Sequence, residues 1–118
     1  MKEYIKNVIK TESATCDVAG KERLLHAGMG MATESAEFID ALKKSIFYGK
    51  ELDRVNLKEE LGDVLWYVAV AMDELGTDFD TEMKKNIEKL RARYGEKFSE
   101  QSAENRDLEK ERKILEDN

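Results

Sequence analysis

The chain contains no proline and only one cysteine, Cys16. Lacking proline, it has no residue that would break a helix by steric clash and a missing amide donor. A single cysteine excludes an intrachain disulfide, and a reducing compartment is the expected setting. Aromatic residues are scarce at 8%, while charged residues make up 39%, a balance that fits long helices better than a sheet sandwich. No apolar run is long enough to span a membrane, and no Gly-x-x-x-x-Gly-Lys string exists to form a P-loop. The opening residues, Met1 to Tyr4, lack the apolar stretch of a signal peptide, so a cytoplasmic protein is expected. Basic residues fall short of acidic ones, 20 against 26, for a net charge of -6. That deficit disfavours DNA and RNA as partners, since phosphates are repelled at long range. A small anionic substrate stays open, because a metal or a local basic stripe can reverse the sign of one site.

What the chain does have is helical periodicity, and 118 residues suffice for one modest core. Tyr4, Ile5, Val8 and Ile9 mark a short first helix, followed by a less regular stretch from Thr11 to Gly20. A second helix is expected from about Lys21 to Tyr48. Its apolar stripe runs through Leu24, Gly28, Met31, Ser35, Phe38, Leu42 and Ile46, widened by Leu25, Ala32 and Ile39. Gly49 should stop it. Asp53 or Asn56 can cap the third helix, with Asn56 and Glu59 spaced as a capping box. That helix is expected to bury Leu57, Leu61, Val64, Val68, Met72 and Leu75, and to stop near Gly76. Thr77 or Asp78 caps the fourth, with Phe79, Met83, Ile87, Leu90 and Tyr94 inward and Gly95 near its end. The expected fold is thus all-α, a bundle of four to five helices. The domain spans residues 1–98, and residues 99–118 form a charged tail that can be helical but buries little alone, either an arm on a partner subunit or partly disordered.

Two acidic pairs stand out. Glu34 and Glu37 are three apart on the second helix, and Glu60 and Asp63 are three apart on the third, so each pair shares one face. Glu34 and Glu37 align with Ala27, Gly30 and Ala41, all small. Glu60 and Asp63 align with Asn56, Tyr67 and Val70. Both stripes border the apolar ones. Four carboxylates crowded at a bundle edge repel one another and must protonate, stay hydrated or bind a cation. Mg²⁺, with Mn²⁺ as a substitute, suits an all-oxygen set that leaves room for substrate phosphates. The only histidine, His26, belongs to no Glu-x-x-His pair, which argues against a di-iron or zinc site. Taken alone, each spacing is common in charged helices.

At these residues the sequence resembles the all-α nucleoside triphosphate pyrophosphohydrolases, the MazG-like superfamily. The pattern Glu-x-x-Glu, spacer, Glu-x-x-Asp is present as Glu34-Ser35-Ala36-Glu37 and Glu60-Leu61-Gly62-Asp63, with positions 38–59 between. The strings "ATESAEF" and "KEELGDVLWYVA" match, "EELGD" most specifically. "KKNIEKLRARYGEKF" is similar to the family's later Asn/Lys/Arg region, though Gly95 stands where many relatives carry Pro. The tail "AENRDLEKER" resembles a branch of small phage-type and bacterial members. The resemblance runs from about Leu24 to Arg112.

The resemblance implies an oligomeric bundle, a homodimer or homotetramer, that cleaves the α–β phosphoanhydride of a nucleoside triphosphate to the monophosphate and pyrophosphate. Glu34, Glu37, Glu60 and Asp63 then hold metal, and Glu37 or Glu34 orients or activates the attacking water. Asn86, Lys89 and Arg93, on one side of the fourth helix, would meet the phosphates. The alternative for Lys89 is a solvated face of ion pairs with Glu82 and Glu96. Lys58 and Arg106 are weaker candidates. Either Trp66 or Tyr67 could stack on a base; Tyr67, on the carboxylate stripe, is the better substrate contact, whereas Trp66 reads first as core or interface packing, and His26, Met29 and Met31 as packing residues. A narrower dUTP- or dCTP-type hydrolase remains an alternative, as does a non-catalytic nucleotide-binding or helical interaction module.

Overall fold

The computed structural model describes residues 2–13, 19–95 and 98–116. Among them are six helices and no strand: α1 (Lys2–Thr11), α2 (Gly20–Tyr48), α3 (Arg54–Leu75), α4 (Phe79–Tyr94), α5 (Glu100–Glu104) and α6 (Leu108–Glu116). The all-α class follows the helical period of the apolar residues. There are six helices because the charged tail folds two short ones, α5 and α6. Most of the irregular stretch after α1, including Cys16, lies outside the described residues. The chain divides into two compact units, Met1–Thr77 and Asp78–Asn118.

In the first unit α2 and α3 form an antiparallel pair. Gly49 ends α2 at φ 66°, a left-handed conformation that costs glycine nothing. A short loop then brings the chain to Asp53, whose carboxylate accepts from the amides of Val55 and Asn56 and starts α3. Asn56 does not cap. Its amide instead donates to Glu60 Oε1 at 3.1 Å. At the far end of the pair Arg23 of α2 donates to Asp73 at 2.7 Å and to Glu12, just past α1. The backbone amide of Gly20 donates to Glu74 at 2.7 Å, so a side chain of α3 satisfies the first amide of α2. α1 packs on α3 and buries Ile5 and Val8.

The face that joins α2 to α3 is not the one the apolar stripe predicted. Ala27 and Gly30 are the buried residues of α2, and Glu60, Ala69 and Val70 those of α3. All but Ala69 belong to the small-residue and carboxylate stripes. The expected core residues Leu25, Ile39 and Ile46 are 63%, 63% and 70% exposed, and Leu61 and Leu75 of α3 are exposed as well. Leu24, Phe38, Leu42, Leu57, Val64, Val68 and Met72 are half-buried. The physical reason is distance. Ala27 and Gly30 let two helices approach closely, and the wider apolar side chains are then left flanking the contact.

In the second unit Asp78 caps α4 by accepting from the amide of Thr81, and Phe79 is buried. Leu90 and Tyr94 are half-buried, whereas Met83 and Ile87 are exposed. α6 packs on α4 through Glu111, which is only 4% exposed.

Candidate active site

The antiparallel pairing sets Glu34 of α2 opposite Glu60 and Asp63 of α3. One carboxylate oxygen from each lies within 4.8 Å of the others. The local reason is plain: the three-residue step places Glu60 and Asp63 on one face of α3, and Gly30, one turn before Glu34, brings α2 close enough to meet them. Glu60 is buried, and Asn56 holds one of its oxygens. Burial pushes the Glu34 carboxyl above its usual range, and a hydrogen bond shared with Glu60 and the charges of Asp63, Glu60 and Glu37 add to it. The charged acids repel one another across this short distance. A cation relieves the same repulsion, and the donor set is carboxylate oxygen without nitrogen or sulfur, which fits a hard divalent ion. Glu37 stands outside this cluster, exposed, and reaches Glu34 only through its charge.

A cavity of about 310 Å³ opens beside the acids, lined by Glu34, Asp63, Trp66 and Tyr67. The ring of Tyr67 lies against Gly30 so closely that a Cβ there would overlap it. Tyr67 packs edge-on to Trp66, with centroids 5.0 Å apart and planes at 80°, and edge-on to His26 at 5.9 Å. The Trp66 indole N–H donates to Thr11 Oγ1 at 2.7 Å. Tyr4 of α1 is also near: burial, then the charge of Asp63, raise its phenol, which stays neutral.

Asn86, Lys89 and Arg93 lie on α4, in the second unit. Arg93 donates from Nε to Glu111 Oε1 at 2.8 Å and from Nη2 to Oε2 at 3.3 Å, while Arg106 donates to the same carboxylate at 2.6 Å. Arg93 also lies 5.4 Å from the Tyr94 ring centre. Asn86 is exposed and lines a cavity of about 530 Å³ with Glu82, Met83, Ile87 and Leu115. That cavity is larger than the one at the acids, but it holds a single carboxylate among apolar walls. Lys58 is exposed, and Glu96 lies outside the described residues.

Sequence reasoning passed over Thr11 and Glu111, and preferred packing for Trp66, which lines the cavity. No periodic signal links Thr11 to a residue 55 positions away, or Arg93 to one 18 positions away.

Residues 24–98 match the MazG nucleotide pyrophosphohydrolase domain. The chain belongs to this family. The matched span of the MazG domain contains all four motif acids, together with Tyr67, Asn86, Lys89 and Arg93. α1, α5 and α6 fall outside it. The Gene 37 protein of Mycobacterium phage L5 is 33% identical over 90 residues, covering 72% of this chain and 78% of that protein. No solved structure matches the chain. Among the described residues no helix is long and apolar enough to cross a membrane.

Proposed function

We propose that this MazG-family protein hydrolyses the α–β phosphoanhydride of nucleoside triphosphates in the presence of Mg²⁺, releasing the monophosphate and pyrophosphate in the cytoplasm. The observation that carries this reading is the three-carboxylate cluster beside a cavity with aromatic walls. Glu34, Glu60 and Asp63 would hold the ion, with Mn²⁺ as a substitute. When bound, the cation supplies charge neutralisation for the polyphosphate.

The protein's own groups do the rest. Asn56 keeps Glu60 turned toward the acids, and Gly30 sets the Tyr67 ring at the cavity wall. Glu37 either completes the acidic set or takes the proton of the attacking water. Asn86, Lys89 and Arg93 of α4 are our candidates for phosphate contacts. Arg93 keeps its Nη1 edge for that purpose, since Glu111 takes Nε and Nη2 and the bond from Nη1 to the Tyr94 hydroxyl is long at 3.5 Å.

A second copy of the chain would cover the exposed apolar side chains of α2 and α3, giving a homodimer or homotetramer. The deciding experiment is a screen of ribo- and deoxynucleoside triphosphates with Mg²⁺, reading pyrophosphate against phosphate. Pyrophosphate release supports the proposal. Turnover confined to dUTP or dCTP narrows the substrate, and nucleotide binding without product, or no dependence on divalent metal, overturns the enzymatic reading.

A further inference from the structure

The wall of the acidic cavity has an unusual support. Trp66 lines the cavity, yet its single polar atom, Nε1, is spent on Thr11 Oγ1 at 2.7 Å. The Thr11 hydroxyl in turn donates its own proton to the carbonyl of Val8, one turn back on α1, also at 2.7 Å. Each group in this relay has a fixed role: the indole donates, the hydroxyl accepts and donates, and the carbonyl accepts. The hydroxyl therefore cannot rotate to donate to the indole, and the indole cannot turn its N–H into the cavity without breaking both bonds. What Trp66 offers the cavity is carbon alone, a flat π surface. Tyr67 stands at 80° to it, locked over Gly30, so two aromatic rings meet at nearly a right angle next to Glu34 and Asp63. A ligand suited to this corner is planar at one end and, through a cation on the acids, polyanionic at the other.

We infer that Trp66 is the stacking surface for the nucleobase and that Thr11, on the N-terminal helix outside the MazG match, is the residue that positions it. The inference rests on the proposed nucleotide substrate and deepens it: with the indole N–H withdrawn, this wall selects a base by its stacking surface and not by a hydrogen bond. α1 thereby becomes part of the specificity apparatus. α1 packs on α3, the helix that carries Glu60 and Asp63.

Trp66 is the only tryptophan of the chain, so intrinsic fluorescence reports on it directly. The full-length protein is titrated, with Mg²⁺, with dATP, dCTP, dGTP and dTTP separately, and with inorganic tripolyphosphate, which has the phosphates but no base. Nucleotides are expected to change the Trp66 emission and tripolyphosphate to leave it unchanged. Thr11→Val keeps the side-chain size and removes the acceptor. It should shift the emission of the free protein and weaken nucleotide binding about tenfold, the equivalent of about 1.4 kcal/mol. Tripolyphosphate affinity and kcat should stay as in wild type. Thr11→Ser restores the hydroxyl and should restore affinity, which a merely structural loss of Thr11 would not explain. Equal emission changes with tripolyphosphate, or unaltered nucleotide affinity in Thr11→Val, overturn the inference. Nucleotide binding with unchanged Trp66 emission removes this inference alone, whereas no binding of any nucleotide removes the proposed function with it.

Discussion

At Gly30 the absence of a side chain decides where the Tyr67 ring sits. A Cβ at that position would overlap the ring, and one helical turn further along α2 is Glu34. Gly30→Ala therefore forces either the ring or the helix to move. Overpacking of this kind costs about 1–3 kcal/mol, while the gain in helix propensity returns about 1 kcal/mol. The expected outcome is a protein of equal or lower stability in urea denaturation whose nucleotide affinity has fallen. Unchanged affinity would mean that Tyr67 does not shape the cavity.

Glu37 tests the division of labour among the acids. If Glu37→Gln keeps Mg²⁺ binding and loses turnover, it is the base; if both are lost, it is a ligand. In the second unit, Arg93 and then Arg106 hold the Glu111 carboxyl down at about 2, against an ordinary 4.5. Because the folded value lies below the unfolded one, Glu111 stabilises the native state above pH 4.5, and this contribution is lost as pH falls through about 2. Glu111→Gln should melt lower than wild type at neutral pH. Melting curves of the two proteins taken against pH should converge between 4.5 and about 2. Of the four acids read as one set, Glu34, Glu60 and Asp63 come together because their spacing is local and helical, whereas Glu37 stands outside the cluster. The partners of Trp66 and Arg93 were not legible in the sequence, because those bonds join helices that no pattern places side by side.

At the scale of helices, punctuation was the most readable feature. Gly49, Gly76 and Gly95 all have positive φ, and Asp53 and Asp78 cap α3 and α4 with their side chains. Each is a local event in which backbone donors or carbonyls at a helix end need a partner or a turn. Asp53 carries weight beyond its own turn, since α3 presents both Glu60 and Asp63. Asp53→Ala should lower stability by about 0.5–2 kcal/mol, measured by denaturant unfolding, with a normal Mg²⁺ response once folded. What could not be read was which stripe of α2 meets which stripe of α3. Apolar content pointed to Leu25, Ile39 and Ile46, yet Ala27 and Gly30 govern how near the helices come. Hydrophobic periodicity ranks faces by transfer energy and does not register closeness of approach. The tail was read as an arm or partly disordered segment. Its Glu111 carries two arginines and lets α6 pack despite few apolar side chains.

For the whole molecule, the apolar residues displaced from the α2–α3 contact become the argument for assembly. Leu25, Met29, Ile39, Leu61 and Leu65 are exposed on the first unit, and a chain of this length has little other core to spare. For the proposed oligomer, Ile39→Glu on this face should give a smaller species than wild type in light scattering. An unchanged mass would place the interface elsewhere. All the structural and family findings bear on one claim, that Glu34, Glu60 and Asp63 form a divalent-metal site for nucleotide cleavage. Asp63→Asn tests it most directly, because the substitution preserves size and removes one negative charge from a mutually repelling set. The measurement is Mg²⁺-dependent pyrophosphate release by wild type and the Asp63→Asn protein, at a temperature where both are folded. The account predicts release by wild type and none above background by the variant; full Mg²⁺-dependent release by Asp63→Asn would contradict it.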